Sequence, residues 1–349
     1  SGTVKGFAQT LAIGIIASMF TALVITRLIV NAFYAVGLRS EKLYYRPKKE
    51  REPIDFLSKK KVFFTISLVL IAAGVITIGV NAGRGKGAFA YSLEFQGGTS
   101  TNVTFDKDYS IDEIDKEIVP VVEKVTGDNN VQTQKVAGTN QVIIKTVTLD
   151  LDKREALNKA MVDNFGVDES KITAENISST VSNEMRRDAV IAVVIATICM
   201  LLYIWFRFKD IRFATSAVLA LLHDVLVVVG FYAIARISVG NTFIACMLTI
   251  VGYSINATIV IFDRIREEMR GKTKSSDVAA VVNKSITQTL TRSIYTSLTT
   301  FIMVAVLYVM GVSSIKEFAL PLMVGVVCGA YSSVCITGAL GYVMKRFKK

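Results

Sequence analysis

Seven predominantly apolar runs of about twenty residues or more constrain this chain more than any other feature, because an α-helix rising 1.5 Å per residue needs about that many to cross a ~30 Å hydrocarbon core. The runs cover residues 7–36, 62–82, 188–206, 213–235, 241–263, 286–310 and 316–344, and they predict an α-helical polytopic membrane protein with about seven transmembrane helices. A hydrophobic content of 52% against 20% charged residues is more apolar material than a soluble domain hides. All four cysteines, Cys199, Cys246, Cys328 and Cys335, fall inside these runs, where they act as small hydrophobes and not as a disulfide framework. Ser1 to Gly6 lacks a cationic stretch and no small-residue cleavage pattern follows, so the first run reads as a true span and not a signal peptide.

The formal net charge of +11 is concentrated in short segments beside the apolar runs, which is a topology signal and gives no reason to expect nucleic acid as a partner. Arg39, Lys42, Arg46, Lys48, Lys49, Arg51, Lys59, Lys60 and Lys61 make the segment between the first two spans too polar for the bilayer and predict that it is cytoplasmic. Alternation then places Arg207, Lys209, Arg212, the loop over 264–284, and Lys345, Arg346, Lys348 and Lys349 on the same side, leaving Lys5, Arg236 and Lys316 for the outer turns. Orientation explains these charges; specific lipid or ribosome binding by the linker is the competing reading.

Residues 83–187 break the apolar pattern and read as one extracytoplasmic α/β domain. Tyr91 to Phe105 and Gln141 to Val147 are β-rich, Val131 to Gln134 and Ile172 to Ile177 supply further strands, and Ala137 to Asn140 carries a turn signal. Ser110 to Val125 and Leu151 to Phe165 have apolar residues at helical spacing, the former opened by a Ser110/Glu113 capping box. The order strand, helix, strand, strand, helix, strand predicts a ferredoxin-like fold. Gly97-Gly98 beside the first strand marks a bulge or tight turn.

The first span also repeats in the last. Displaced by 311 positions, Val4-Lys5-Gly6-Phe7-Ala8 falls on Ile315-Lys316-Glu317-Phe318-Ala319, Leu11 on Leu322, Gly14 on Gly325, Phe20 on Tyr331, Ile25 on Ile336 and Thr26 on Thr337, without a gap. Low-complexity apolar matching does not align the Lys and the Phe-Ala, so the two helices read as duplicates. The first span then closes one repeat whose remainder is expected upstream of Ser1, and the next six helices form a complete second repeat, a common plan for transporters.

Four stretches carry a specific resemblance. They are Leu93-Glu94-Phe95-Gln96-Gly97-Gly98-Thr99, Leu222-His223-Asp224, the run from Val251 through Gly252, Tyr253, Ser254, Ile255, Asn256, Ala257 and Thr258 to Phe262-Asp263-Arg264-Ile265-Arg266-Glu267, and Arg292-Ser293 with Thr296 to Thr300. Together they resemble the SecDF family of protein-export membrane proteins, in the resistance-nodulation-division superfamily, and Gly2 to Ala8 resembles the entry to the last helix of a SecD half. The resemblance implies that 1–37 ends a SecD-like half, that 38–61 is a basic cytoplasmic linker, and that 62–82, the outer domain 83–187 and the five helices of 188–349 form a SecF-like half in a bacterial inner membrane. It further implies that proton flow drives outer-domain movements that help draw preproteins out of a SecYEG-type channel. The implied partners are that channel, the preprotein, the SecD half and a YajC-like subunit, with H⁺ as coupling ion, Na⁺ as the alternative, and no cofactor.

Ionisable groups inside spans are functional candidates by default. Asp224 lies about eleven residues, or ~16 Å, from the inner end of its span; Arg292 and residue 257 lie about seven residues, or ~10 Å, inside theirs, so the three are expected to meet at one level. A proton relay needs a carboxyl whose protonation is balanced between burial and a nearby cation. In the family an Asp, understood as the main proton carrier, stands where this chain has Ala257. Retention of Gly252, Tyr253, Ser254, Asn256, Thr258, Asp263 and Arg264 around it favours an engineered Asp-to-Ala change and an uncoupled variant; natural use of another carboxylate, Asp224 first, is the competing explanation.

Each candidate also has a plain reading. His223 and Asp224 can be a helix-positioning hydrogen bond, and Arg292 can snorkel to the inner headgroups. Asp263, Arg264, Arg266, Glu267 and Glu268 read as an inner-surface charge network, and Ser254 and Asn256 as hydration or packing groups. With a single His, no Cys/His metal cluster and no Ser/His/Asp triad are expected, and Gly97-Gly98 lacks the Lys-Ser/Thr continuation of a phosphate loop. An enzyme is therefore not expected, and a small-molecule efflux pump of the same superfamily is the alternative function.

Overall fold

The protein is described by a computed structural model over residues 2–40, 44, 52–84, 87–110, 113–128, 131–136, 139–208, 211–270, 278–310 and 313–346. Among these residues seven helices are long and apolar enough to cross a membrane: Ala8–Ala35, Lys60–Gly83, Thr180–Phe206, Arg212–Ala235, Asn241–Met269, Val278–Met310 and Ile315–Met344. The predicted class is thus observed, though several helices overrun the apolar stretches. The third is continuous from Ser179, the fifth runs on to Met269 and the sixth begins at Val278, ahead of residue 286. Polarity marks where a helix leaves hydrocarbon, not where its backbone hydrogen bonding stops. Lys42, Arg46, Lys48, Lys49, Arg51, Lys209, Lys348 and Lys349 lie outside the described residues.

The bundle is centred on the fourth, fifth and seventh spans, whose apolar stretches are 50%, 56% and 56% buried, whereas that of the first is 0% buried. Two apolar layers fill it. The inner layer includes Ala217, Ile255, Phe262, Val282, Ile286 and Val334, and the outer includes Val228, Tyr232, Ile250, Val304, Leu322 and Val326. The second span meets the fourth where Gly74 faces Gly230, so closely that a Cβ on Gly74 would lie 2.6 Å from the Gly230 Cα. Small residues that admit such backbone approach are how helices adhere in lipid. The linker's end is tied to the sixth span, Asn283 Oδ1 accepting from the backbone N–H of Phe56 (3.2 Å) and Leu57 (3.3 Å), and Asn283 Nδ2 donating to Asp55 (2.8 Å).

In the α/β domain, β2 (Gly98–Thr104), β3 (Gln132–Lys135), β4 (Gln141–Thr146) and β5 (Ile172–Ile177) form one antiparallel sheet in the order β3-β4-β2-β5. With helices over Ile114–Thr126 and Leu151–Phe165 between them, this is the expected ferredoxin-like arrangement. The core joins Val103, Val142 and Ile144 of the sheet to Ile118, Val122, Leu157 and Met161 of the helices. The capping box closes as predicted: the Ser110 N–H donates to Glu113 Oε2 (2.7 Å) and the Glu113 N–H to Ser110 Oγ (3.3 Å).

One strand expectation is corrected. Tyr91 to Phe105 is not continuous: Ala90–Tyr91 (β1) pairs in parallel with Ser238–Val239 (β6) between the fourth and fifth spans, a helical turn over Leu93–Gln96 follows, and only then does β2 begin. Gly97 (φ +78°) and Gly98 (φ +140°) make the redirection, in backbone conformations that a side chain would strain. The β1–β6 pair, Phe95 buried in the outer apolar layer, and Arg186, which donates to the Phe95 carbonyl and lies over the Tyr91 ring (5.1 Å), bind the domain's entry to the bundle.

The repeat has a structural counterpart. The first span contains a π-helical turn at Thr21–Ile25 and the seventh one at Ser332–Thr337, the same place after the 311-residue displacement. Such turns concentrate at functional sites.

Candidate functional site

Between the two apolar layers lies a polar cluster built around Asp224, whose side chain is fully buried. Its Oδ1 is 2.9 Å from His223 Nδ1 and 3.3 Å from Cys328 Sγ; its Oδ2 accepts from Ser332 Oγ (2.7 Å) and from Ser254 Oγ. Three helices supply these groups. Ser332 opens the π turn of the seventh span, and Gly329, one turn earlier, lets that helix lie against Ser254, an added Cβ meeting the Ser254 Cβ at 3.4 Å. Tyr331 caps the group on the second-span side, donating to the Phe63 carbonyl (2.8 Å) with its ring 6.3 Å from that of His223.

Hydroxyls both donate and accept, so the same cage can hold Asp224 as carboxylate or as carboxylic acid with modest rotation of O–H bonds. His223 Nε2 has no hydrogen-bond partner among the described residues. The cluster can therefore store a proton or share one between an imidazole and a carboxyl. His223, Asp224 and Cys328 place potential ligand atoms within 4.8 Å of one another, a grouping that the expectation of no Cys/His metal cluster did not consider. Counting His and Cys along the chain misses it, since Cys328 comes from a helix more than a hundred residues away.

Of the three groups expected at one level, residue 257 and Arg292 come together, and Asp224 is held in its own cluster instead. Ala257 and Arg292 line a separate cavity of about 40 Å³ between the fifth and sixth spans, with Tyr253, Asn256, Val260, Ser293 and Thr296. Ser254, which holds Asp224, points toward the fourth and seventh spans, whereas the cavity residues look toward the sixth, about 100° round the helix. The Arg292 guanidinium has no hydrogen-bond or ion-pair partner among the described residues. Tyr253 donates to Ser297 (2.8 Å), joining the two helices beside the cavity, while Gly252 and Asn256 are exposed on the bundle surface.

At the Met269 end of the fifth span Arg264 reaches Gln288 (2.6 Å), Glu267 (2.6 Å) and Glu268 (3.0 Å), and Lys284 joins Glu268 (3.1 Å); half-buried Asp263 sits beside this network. Cys328 and Ser332 are the site residues that sequence reasoning missed. A Ser332-Ser333 pair inside an apolar run was the available signal.

Residues 157–346 match the family model described as protein export membrane protein SecD/SecF, C-terminal. SecF of Petrotoga mobilis is 36% identical over 303 residues, covering 84% of this chain and 98% of its own length. The chain belongs to the SecD/SecF family of protein-export membrane proteins. SecDF of Brucella abortus is 35% identical over 352 residues, which is 97% of this chain but 44% of that protein. The crystal structure of SecDF from Thermus thermophilus, described as a translocon-associated membrane protein, superposes with a TM-score of 0.81 at 30% identity, over 99% of this chain and 46% of that one. The chain therefore spans nearly all of a SecF and less than half of a SecDF. Family membership and the seven apolar helices make it a multi-pass membrane protein of the protein-export type.

Proposed function

We propose that this chain is the SecF-like part of an accessory to the Sec machinery, in which the proton motive force, acting through the helix bundle, drives movements of the extracytoplasmic 83–187 domain that promote preprotein translocation. The observation that carries the reading is the Asp224 cage: a fully buried carboxyl held by hydroxyls and a thiol from two other spans, which accommodates either protonation state. An intramembrane acid of this kind is costly unless it works or is fully satisfied, and proton relays are its best-attested use. The β1–β6 pair supports transmission, since it ties the domain's entry strand to the turn between the spans that carry Asp224 and Ser254. Partners in this reading are a SecYEG-type channel, the preprotein and a SecD half packed against the first span. The relatives described above are translocase subunits, which gives small-molecule efflux no comparable support.

A second reading is favoured by one observation. Arg292 and Ala257 share a cavity whose lining holds no acidic residue, which supports reading the chain as an uncoupled variant at that position. Both readings are tested by reconstituting the chain with its SecD half and a Sec channel and measuring translocation with and without a proton gradient. Under the first reading the gradient accelerates export and Asp224→Asn removes most of that acceleration. Under the second the response is absent and Ala257→Asp introduces it. If neither the chain nor Ala257→Asp responds to a gradient, the proton-driven function is wrong.

A further inference from the structure

We propose that His223 Nδ1, Asp224 Oδ1 and Cys328 Sγ form a binding site for a divalent, borderline-soft metal ion, with zinc the ion these donors suit best and a competitor for the proton at Asp224. The three atoms make a triangle with sides of 2.9 Å (N to O), 3.3 Å (S to O) and 3.9 Å (S to N). Zinc bonds of ~2.0–2.1 Å to N and O and ~2.3 Å to S, arranged tetrahedrally, space their donors by ~3.3–3.6 Å. The observed triangle needs side-chain adjustments of a few tenths of an ångström to become one face of that tetrahedron.

Ligand chemistry selects the ion. Imidazole, thiolate and carboxylate together suit zinc, whereas magnesium and calcium demand oxygen donors throughout. Charge selects it again: a metal-bound Cys328 gives up its thiol proton, and the thiolate with the Asp224 carboxylate carries two negative charges that one divalent ion cancels. Neutrality matters here because all three residues are buried in the bundle, at 6%, 0% and 7% exposure for His223, Asp224 and Cys328. The fourth position falls to a hydroxyl of Ser254 or Ser332, both already beside the carboxylate, or to water. His223 faces the cluster with Nδ1, 2.9 Å from Asp224 Oδ1 and 3.9 Å from Cys328 Sγ, while Nε2 has no hydrogen-bond partner among the described residues.

The inference does not rest on the export reading, because occupancy is measured without translocation. Its consequence for that reading is simple: an ion held by Asp224 occupies the carboxyl that would hold the proton.

The test uses the full chain in lipid nanodiscs, titrated with zinc chloride or cadmium chloride. One ion per chain is expected, with a cadmium–thiolate charge-transfer band in the ultraviolet. The band should survive replacement of Cys199, Cys246 and Cys335 together and vanish in Cys328→Ser, while His223→Asn should weaken zinc binding by about 10–100-fold or more. Because Cys328→Ser disturbs a buried cluster, X-ray absorption at the zinc edge of the unaltered chain provides a second measure, expected to show one sulfur at ~2.3 Å with nitrogen and oxygen neighbours. A band that persists in Cys328→Ser, a zinc shell without sulfur, or no binding by the unaltered folded chain would overturn the proposal.

Discussion

The first and seventh spans share a register and a π turn, yet their surroundings are opposite. In the seventh, Leu322 is 5% exposed, an added methyl on Gly325 would run into Ile250, Gly329 lies on Ser254, and Ser332 donates to Asp224. In the first, Leu11 is 46% exposed, a Cβ on Gly14 would meet nothing within 4 Å, and Thr21, at the place of Ser332, donates to the Ala17 carbonyl of its own helix. The difference teaches that the repeated pattern encodes a face for close helix packing, and that whether the face is filled depends on what the chain meets. Thr10, Leu11, Gly14, Ile15, Ser18 and Met19 line an open groove on the first span. In the function proposed above, a SecD half built like the bundle 60–346 fills that groove.

The sharpest way to break this comparison is a pair of equal substitutions. Gly325→Leu forces a large side chain onto Ile250 and should destabilise the bundle by about 1–3 kcal/mol, the usual cost of overpacking. Gly14→Leu should be close to neutral in this chain alone and should instead weaken co-purification with a SecD half. Thermal unfolding in nanodiscs checks the first expectation and pull-down the second. Equal losses of stability at both positions would show that the two faces are not filled and empty versions of one design.

A smaller effect is expected one turn further along. Ser332→Ala deletes a donor to the buried carboxyl and should cost about 1–2 kcal/mol, the upper end for a side-chain hydrogen bond between membrane helices. Thr21→Ala, at the matching place, removes only a local bond to its own helix and should shift stability by less than about 0.5 kcal/mol. If Ser332→Ala is as silent as Thr21→Ala, the Asp224 cage does not depend on the π turn.

What could be read from the sequence divides along the same line. Span number, the β5 boundaries and the helix over 151–165 follow from periodicity and length, which are properties of a segment by itself. The Ser110/Glu113 box was equally visible, being local chemistry at fixed spacing. The azimuth of apolar helices was not. Asp224, residue 257 and Arg292 were placed by depth, and depth does not tell that Ser254 and Ala257 look toward different neighbours when nearly every face of a span is apolar. Cys328 was hidden for the same reason, reading as one more small hydrophobe until the seventh span is laid on the fourth. The break at Gly97-Gly98 was marked as a turn, but the pairing of β1 with β6 joins residues almost 150 positions apart and leaves no local trace.

The smallest effect isolates the α/β domain and so controls the comparison of spans. Glu113 is held well below the ordinary carboxylate value of 4.5, at about 2, first by its bond to the Lys107 ammonium and then by the Ser110 N–H of the capping box. A carboxylate with a depressed value in the folded protein adds stability that is complete above the unfolded value, so this contribution should be present above about pH 4.5 and lost as pH falls toward 2. Both side chains are exposed to solvent, so the effect is modest and should shrink further as salt screens the pair. Hydrogen exchange in the helix over 114–126 should rise through this window, and Glu113→Gln should flatten that rise. The stability gap between Gly14→Leu and Gly325→Leu should not follow that rise, because an added Cβ at Gly325 meets Ile250 and one at Gly14 meets nothing within 4 Å, so neither touches the Lys107–Glu113 pair. A gap that narrowed on acidification in step with the exchange would mean that the first turn of the α/β domain is energetically joined to the packing of the seventh span, and the two regions could no longer be treated as separate tests.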